Sequence, residues 1–327
     1  MKRTKFLIGG LMFALALPAA AQSQELKYLS GWGPSNNATW GTEQDFMRMV
    51  GEESKGRLSI KRSGPEAVPP FEQLQPTAAG VFDLLVTHGA YHAGTTAIGM
   101  TVDGMVGDPV KRRESGVWAA VDKHYRKLGL AVIALIPQGK SGSYQILLRS
   151  PVGPAGDLKG LKIRGTASYH PLFKALGASP VVLAPPDIYP ALEKGVVDGA
   201  GWPNVGAMSM KLQEVAKYYV RPSFGVATLK IFMNANSFDK LSADNKRAVL
   251  EAGRKIEGMV WETFDKLVAE ELAEMKKAGM TEVRLSKANE AKLGTWFADG
   301  LWELAIAKNK KDAEDLRELV MKTKMSL

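Results

Sequence analysis

The segment LKGLKIRGTASYH, residues 158–170, gives the first indication of how this chain folds. Leu161 and Ile163 alternate with basic residues, as in a β-strand, and the residues after Arg164 are typical of a loop that leads into a helix. An arginine at the carboxyl end of a strand, facing the start of a helix, is well placed to bind an anion. The segment therefore predicts a strand followed by a helix, with Arg164 as a candidate anion-binding residue.

The residues that follow repeat the same pattern. PVVLA at 180–184 and VVDGAGW at 196–202 have the composition of two further strands, and a short helical segment precedes each of them. The order strand, helix, strand, helix, strand predicts a parallel sheet, and such sheets bind ligands at the carboxyl ends of their strands. Arg164 and Trp202 both lie at such ends.

The first half of the chain also alternates strands and helices. NNATWGTEQDFMRMVGEES, at 36–54, has its apolar residues at helical spacing. Strand patterns occur in ELKYLSGWG at 25–33, RLSIKRS at 57–63 and VFDLLVTHGA at 81–90. This alternation predicts a second unit of the α/β class.

The longest helical pattern runs from Ser242 to about Ala278 and contains no proline. One helix of this length extends about 50 Å at about 1.5 Å per residue, which exceeds the diameter of a small domain. We therefore expect it to brace two domains against each other. TEVRLS at 281–286 and helical stretches after Ala288 and Asp312 complete the fold. The apolar residues at helical spacing in the long helix are Val249, Ile256, Val260, Phe264, Leu267 and Leu272.

Residues 1–21 have the three regions of a secretory signal peptide. Lys2, Arg3 and Lys5 precede the apolar run FLIGGLMFALAL, and three alanines precede Gln22. The apolar run is too short to span a bilayer with ordinary flanks. We therefore exclude residues 1–21 from the fold, and we expect the mature chain to be periplasmic and not embedded in the membrane.

Charge and cysteine content exclude several classes of protein. The formal net charge is +9 over 327 residues, and it falls to +6 without the three basic residues of the predicted signal peptide. The basic residues are scattered among acidic ones, so we expect no nucleic-acid partner. The chain has no cysteine, which excludes a disulfide framework, a thiolate metal site and a cysteine nucleophile.

Four pieces of sequence between residues 157 and 203 resemble a known family. DLKGLKIRG, LGASPVVL, DIYPALEKGVVDGA and GWP occur in the order and spacing typical of the solute-binding proteins of TRAP transporters, the DctP-type family. The L-x-P-x-x-x-G-x-x-D-L piece at 74–84 and the long helix agree with that family more loosely. The resemblance implies an α/β protein with the two-domain periplasmic binding protein fold and a long domain-spanning helix.

The resemblance also implies how the chain is divided and what it does. Domain I is expected to comprise residues 22–146 plus about 230–280, and domain II residues 147–229 plus about 281–327. Proteins of this family close on an organic acid and deliver it to the TRAP membrane permease subunits. The expected partners are therefore a small-molecule carboxylate and the permease.

Two candidate site residues follow from the resemblance. The carboxylate-binding arginine of the family falls on Arg164, and a guanidinium matches both oxygens of a carboxylate. Many members have Glu-Asn where this chain has Gly201 and Trp202, and a subgroup similar to oxo-acid binders has Glu-Trp, with the acid helping to hold a metal ion. Glycine has no side chain to coordinate a metal, so we expect no metal and no cofactor here. We expect Trp202 to form a pocket wall that favours a bulky or aromatic acid.

Six further residues lie near predicted strand ends or interdomain crossings, and we expect them to face the ligand. His88 and His92 have the spacing of a helical metal pair, but their segment contains two glycines and follows a strand, which favours structural or pocket-lining histidines. The six candidates are Trp32, Tyr91, His92, Gln145, Tyr169 and His170.

Two other functions stay open at this point. A sensor subunit that passes its ligand-bound state to a membrane receptor would use the same ligand chemistry. A periplasmic enzyme acting on small acids would need a nucleophile or a metal site, and the sequence offers no such arrangement. We therefore expect a binding protein that is not an enzyme.

Overall fold

The structure is a computed structural model that describes residues 23–140 and 142–327. The predicted signal peptide, residues 1–21, lies outside the described residues. Among the helices that the structure describes, none is both long and apolar enough to cross a bilayer.

Strands and helices alternate along the described chain. The strands are β1 (Gln24–Ser30), β2 (Leu58–Ser63), β3 (Leu84–His88), β4 (Leu130–Pro137), β5 (Tyr144–Leu148), β6 (Lys162–Arg164), β7 (Ser179–Val181), β8 (Gly199–Pro203), β9 (Tyr218–Arg221), β10 (Thr228–Asn234) and β11 (Thr281–Arg284). The helices are α1 (Asn37–Glu53), α2 (Leu74–Ala78), α3 (Ile98–Thr101), α4 (Pro109–Glu114), α5 (Val117–Arg126), α6 (His170–Ala175), α7 (Ile188–Glu193), α8 (Leu212–Val215), α9 (Ala235–Lys240), α10 (Ala243–Lys277) and α11 (Lys287–Lys322).

The strands form two sheets. The first has the order β2-β1-β3-β10-β4, in which β1 is parallel to β2 and β3, and β10 is antiparallel to β3 and β4. The second has the order β11-β9-β5-β8-β6-β7, in which β6 is parallel to both β7 and β8. The predicted series of strands and short helices from residue 158 to 203 corresponds to β6, α6, β7, α7 and β8.

Two strand crossings connect the sheets. The chain leaves the first sheet after Pro137 and enters the second at Tyr144, and it returns between Arg221 and Thr228. The two crossings are paired, since the N–H of Tyr144 donates to the carbonyl of Phe224 at 3.0 Å and the reverse bond is 3.1 Å. This pairing holds the sheets together at one side of the interface. The domain limits predicted from the sequence stay a prediction.

The long predicted helix is present as α10. Its first turn is capped by the Ser242 side chain, which accepts the N–H of Asn245 at 3.2 Å. The first part of α10 packs against β4 of the first sheet, whereas Met275 near its end belongs to an apolar cluster with Tyr219 of the second. The helix therefore contacts both sheets, as its length predicts.

Close packing of α10 on β4 depends on Gly253. A Cβ atom at this position would lie 2.2 Å from the backbone oxygen of Ile133. We expect Gly253→Ala to lower the free energy of unfolding by about 1–3 kcal/mol, because the helix must move away from the strand. Gly258→Ala is the matched control, since a Cβ there meets nothing within 4 Å. The control should raise stability by about 0.4–1 kcal/mol in urea denaturation, and equal losses for both variants would contradict this interpretation.

The C-terminal helical region agrees with the prediction of two stretches, after Ala288 and after Asp312. They are the two parts of α11, which meet at Asn309, where the backbone is not helical, with φ −136° and ψ 53°. The Asn309 side chain accepts the N–H of Ala97 at 2.9 Å and the hydroxyl of Thr96 at 3.0 Å. These bonds fix this junction to the loop before α3, a contact that local sequence patterns do not encode.

Candidate functional site

A cavity of about 530 Å³ lies where the two sheets meet. It is bordered by the carboxyl ends of β3, β6 and β8 and by the loop after β1. Small-molecule sites in proteins are commonly concave and lie between domains, and this cavity has such a position. Five of the eight predicted site residues line it, namely Trp32, Tyr91, Arg164, Tyr169 and Trp202.

Arg164 is fixed by backbone carbonyl groups. Its Nε and one terminal nitrogen donate to the carbonyl of Leu183 at 3.0 and 2.8 Å, and the other terminal nitrogen donates to the carbonyl of Gly201 at 3.0 Å. A guanidinium has five N–H groups, so each terminal nitrogen keeps one N–H without a bonded partner among the described residues. Two such N–H groups, one on each terminal nitrogen, can donate to the two oxygens of a carboxylate.

The charge of Arg164 has no counterion among the residues that the structure describes. The side chain is 2% exposed, and the charge of Asp187 acts on it without an ion pair between the two residues. Burial lowers the pKa of Arg164, because removal from water disfavours the charged form, but an arginine still stays protonated at neutral pH. A buried, unpaired cation is costly, so the site is electrostatically prepared for an anion.

Two tyrosine hydroxyl groups add donors beside Arg164. The Tyr169 hydroxyl has no hydrogen-bond partner in the described part of the chain, and the Tyr91 ring, which also lines the cavity, packs against Trp32. Burial raises the pKa of Tyr91 to about 12 and the pKa of Tyr169 well above its ordinary value, so both phenols keep their protons. Each hydroxyl can therefore donate to an anion held by Arg164.

Two glycines make room for the aromatic wall. The rings of Tyr169 and Phe173 stack at 5.4 Å with an angle of 17°. A Cβ at Gly201 would lie 2.9 Å from both rings, and one at Gly165 would lie 2.7 Å from Phe173. The space that an acidic side chain at position 201 would need is thus occupied by Tyr169 and Phe173. The expectation that no metal assists binding stays a prediction, and this packing supports it.

Trp202 forms the wall next to Arg164. Its side chain is 3% exposed, and its ring centroid lies 5.7 Å from the Arg164 guanidinium carbon. On the opposite sheet, the rings of Trp32 and Tyr91 lie 5.3 Å apart. The cavity is therefore enclosed by aromatic faces from both sheets, which suits a flat or bulky ligand.

A buried hydrogen-bond network supports the cavity at His88 and Tyr144, which also line it. Asp103 is its centre. One Asp103 oxygen accepts the Tyr144 hydroxyl at 2.8 Å and lies 2.7 Å from His88 Nε2. The other accepts from Lys230 Nζ at 3.1 Å. The network thus joins Tyr144 of the second sheet to Asp103 and to His88 and Lys230 of the first sheet.

The tautomer of His88 follows from its neighbours. Burial lowers its pKa, so the ring is neutral at pH 7. Its Nδ1 accepts the N–H of Ala90 at 3.2 Å, and the proton therefore sits on Nε2, which donates to Asp103. His88 holds the cavity wall in place and has no donor left for a ligand.

Gln145 does not line the cavity, although it was predicted to face the ligand. The residue before it on β5, Tyr144, lines the cavity. The Gln145 amide instead donates to the carbonyl of Pro203 at 3.2 Å and accepts from Arg221 at 3.0 Å. Its role as a ligand contact has no support from the cavity geometry.

His92 and His170 also lie outside the cavity lining. His92 Nε2 is 2.6 Å from the Tyr125 hydroxyl, and the ring packs against Phe232 in the first lobe. Burial lowers the pKa of His92 to about 3, so the ring is neutral. His170 Nε2 is 3.2 Å from the carbonyl of Gly165. Both histidines are bonded to the protein, and their ligand contacts stay predictions.

Asp103, Tyr144 and Gln138 are part of the cavity or of the network behind it, although the sequence did not single them out. Asp103 is a single acid in the apolar stretch MTVDGMV, 100–106, and that isolation is a usable signal for a buried, paired carboxylate. Tyr144 is one position away from the predicted Gln145. Gln138 lines the cavity just after β4, and its sequence surroundings carry no distinguishing pattern.

Comparison with known proteins gives a family match and full-length relatives. Residues 108–303 match the DctP family, which is described as "bacterial extracellular solute-binding protein, family 7". The 2,3-diketo-L-gulonate-binding periplasmic protein YiaO of Escherichia coli K12 is 26% identical over 296 residues, which cover 84% of each chain.

Solved structures extend the likeness to the fold. A TRAP periplasmic solute-binding protein from Desulfovibrio salexigens, with bound orotic acid, has a TM-score of 0.80 at 20% identity and covers 91% of this chain and 98% of its own. A TRAP transporter solute-binding protein from Bordetella bronchiseptica RB50, with copurified calcium and picolinate, has a TM-score of 0.81 at 19% identity. The match covers 92% of this chain and 91% of that protein. Likeness at this identity shows a shared fold, which confirms the predicted fold class.

Proposed function

The chain belongs to family 7 of the bacterial extracellular solute-binding proteins, the DctP family, and from this premise we propose that it captures an organic acid for uptake by a TRAP transporter. Membership confirms the resemblance carried by the four pieces between residues 157 and 203. The relatives named above bind orotic acid, picolinate and 2,3-diketo-L-gulonate, all of which are carboxylic acids. The ligand of this chain is accordingly a carboxylate held in the cavity between the sheets.

The observation that carries the proposal is the unpaired charge of Arg164. Its guanidinium is buried, is held in one orientation by two carbonyl groups, and presents two N–H donors without a partner in the described chain. A ligand carboxylate supplies the missing negative charge and accepts both donors. Tyr91 and Tyr169 add hydroxyl donors around the same carboxylate.

We expect the two lobes of the protein, one built on each sheet, to close around the bound ligand. The cavity is lined from both sheets, so a ligand bridges them and stabilises the closed arrangement over an open one. The permease subunits then recognise the closed, loaded form. Family members are periplasmic, and we place this chain there after removal of residues 1–21. The proposal contains no catalytic step.

A paired thermal-shift measurement tests the proposal. The mature protein is melted with orotate or picolinate and, separately, with the neutral counterparts uracil and picolinamide, within a larger panel of carboxylates and neutral compounds. Carboxylates should raise the melting temperature, with about 2.7 kcal/mol of stabilisation at a hundredfold excess over Kd, because they bind only the folded state. Neutral compounds should give no shift. A panel in which only sugars or neutral compounds shift the melting temperature would overturn the proposal.

A further inference from the structure

The amino end of α1 opens into the same cavity as Arg164. Asn36 caps this helix of 17 residues, and its Oδ1 accepts the N–H of Thr39 at 3.2 Å. The Trp40 N–H bonds to the carbonyl of Asn36 at 2.9 Å. The N–H groups of Asn37 and Ala38 have no partner within the helix and none in the rest of the described chain. Asn36, Ala38 and Thr39 line the cavity.

A second, independent feature lies beside this helix end. The indole Nε1 of Trp202 is buried and has no hydrogen-bond partner within the described chain. A Cβ at Gly206 would lie 3.4 Å from this nitrogen and 3.6 and 3.8 Å from the oxygen and nitrogen of the Asn36 amide. The unsatisfied indole N–H is therefore adjacent to the cap of α1. A buried donor without a partner is costly, and in native proteins such a group calls for an explanation.

Several polar groups at this end of the cavity have donors available. The Trp202 indole N–H can only donate, and the Asn36 amide offers its N–H₂ while its oxygen accepts from Thr39. The free N–H groups at the start of α1 carry partial positive charge. Since the Trp202 ring also borders Arg164, one side of the indole faces the carboxylate position and its N–H edge faces Asn36. A ligand lying along Trp202 meets donors at both of its ends.

We propose that the ligand carries an acceptor oxygen, as a carbonyl or a second carboxylate, at the end opposite to the carboxylate bound by Arg164. Trp202 Nε1 and the amino end of α1 bind that oxygen. This inference rests on the proposed capture of an organic acid, and it narrows the class of acid. A ligand whose far end is a methyl group leaves these donors buried and unpaired when the lobes close. A ligand whose far end is an ammonium group places a positive charge against the same donors.

Matched acids test the chemistry of the far end. Levulinate and 4-methylpentanoate have nearly the same shape, but levulinate has a carbonyl oxygen where 4-methylpentanoate has a methyl group. The aromatic acids 4-acetylbenzoate and 4-isopropylbenzoate differ from each other in the same way. The cationic 4-(aminomethyl)benzoate completes the set. Calorimetric titration should show the carbonyl member of each pair binding about tenfold more tightly than the methyl member, with the ammonium compound weakest.

A variant pair assigns the effect to the indole N–H. Trp202→Phe keeps an aromatic wall but removes the donor, and it should reduce the preference for the carbonyl member about five- to tenfold. Trp118→Phe is the matched control, because the indole nitrogen of Trp118 is also buried without a partner but does not line the cavity. The control should keep the preference.

The outcomes separate this inference from the proposed function. If acids bind but methyl and carbonyl members bind equally, or if Trp202→Phe weakens both members alike, the acceptor site is wrong and acid capture stands. If no carboxylate of this set or of the larger panel binds, the proposed function fails and the inference fails with it. A carbonyl preference that disappears in Trp202→Phe and persists in Trp118→Phe supports the inference.

Discussion

An Arg164→Met variant is expected to bind carboxylates at least a hundredfold more weakly than the native protein. The substitution removes the two free N–H donors and the charge, and hydrogen bonds to a charged group contribute about 1.5–3 kcal/mol each. Arg164→Lys should recover part of the affinity, because it restores a charge but not the planar pair of donors. Calorimetric titration of each variant with the best acid from the thermal-shift panel measures the difference.

A control separates this local effect from a general loss of positive charge. Arg149 is exposed at the end of β5, outside the cavity, so Arg149→Met removes the same charge without touching the site. It should bind acids with native affinity. Circular dichroism of Arg164→Met should show an intact fold. Native affinity in a correctly folded Arg164→Met would refute the role given to Arg164.

Asp103→Asn is expected to lower the free energy of unfolding by about 3–5 kcal/mol, because it leaves a buried ammonium without its counterion. Asp103 and Lys230 are both fully buried and lie 3.1 Å apart. Burial by itself would raise the pKa of Asp103, but the charge of Lys230 and the bonds from His88 and Tyr144 outweigh it, so the pKa is lowered and the carboxylate is ionised. Burial lowers the pKa of Lys230 to about 8, which leaves it protonated at pH 7.

A double-mutant cycle isolates that pair. Lys230→Met removes the ammonium, so the combination of Asp103→Asn with Lys230→Met should be more stable than the sum of the single losses predicts. Asp315→Asn, which breaks the exposed pair of Asp315 with Lys311, is the surface control and should leave stability almost unchanged. Additive losses in urea denaturation would mean that Asp103 and Lys230 do not depend on each other.

The Asp103 network also holds part of the cavity wall, because His88 and Tyr144 line the cavity. Its members come from β3, β5, β10 and the turn before α4, so no local pattern could have joined them. Sequence periodicity identifies strands and helices from neighbouring residues, but it carries no information on which distant polar group will share a buried site. Asp103 therefore needed the tertiary structure to be understood.

The sequence could indicate which residues line the cavity where their place at strand ends is enough to bring them together, and their contact with a ligand stays a prediction. Arg164 and Trp202 end neighbouring parallel strands, and the carboxyl ends of such strands meet at one edge. Gln145 is paired with Trp202 across the sheet, but its amide is bonded to the Pro203 carbonyl and to Arg221, and it does not line the cavity. Those two partners are far from Gln145 in the chain, so no local pattern could have indicated them.

By itself the sequence determined the order of strands and helices from residue 158 to 203, the long α10 helix, and the family. These depend on short-range features, namely periodicity, capping residues and motif spacing. Only the tertiary structure decided that Tyr91 faces Arg164 and that the Trp202 N–H lies beside Asn36. Such contacts join residues that are far apart in the chain, and they are fixed by the packing of one sheet against the other, which no local pattern records.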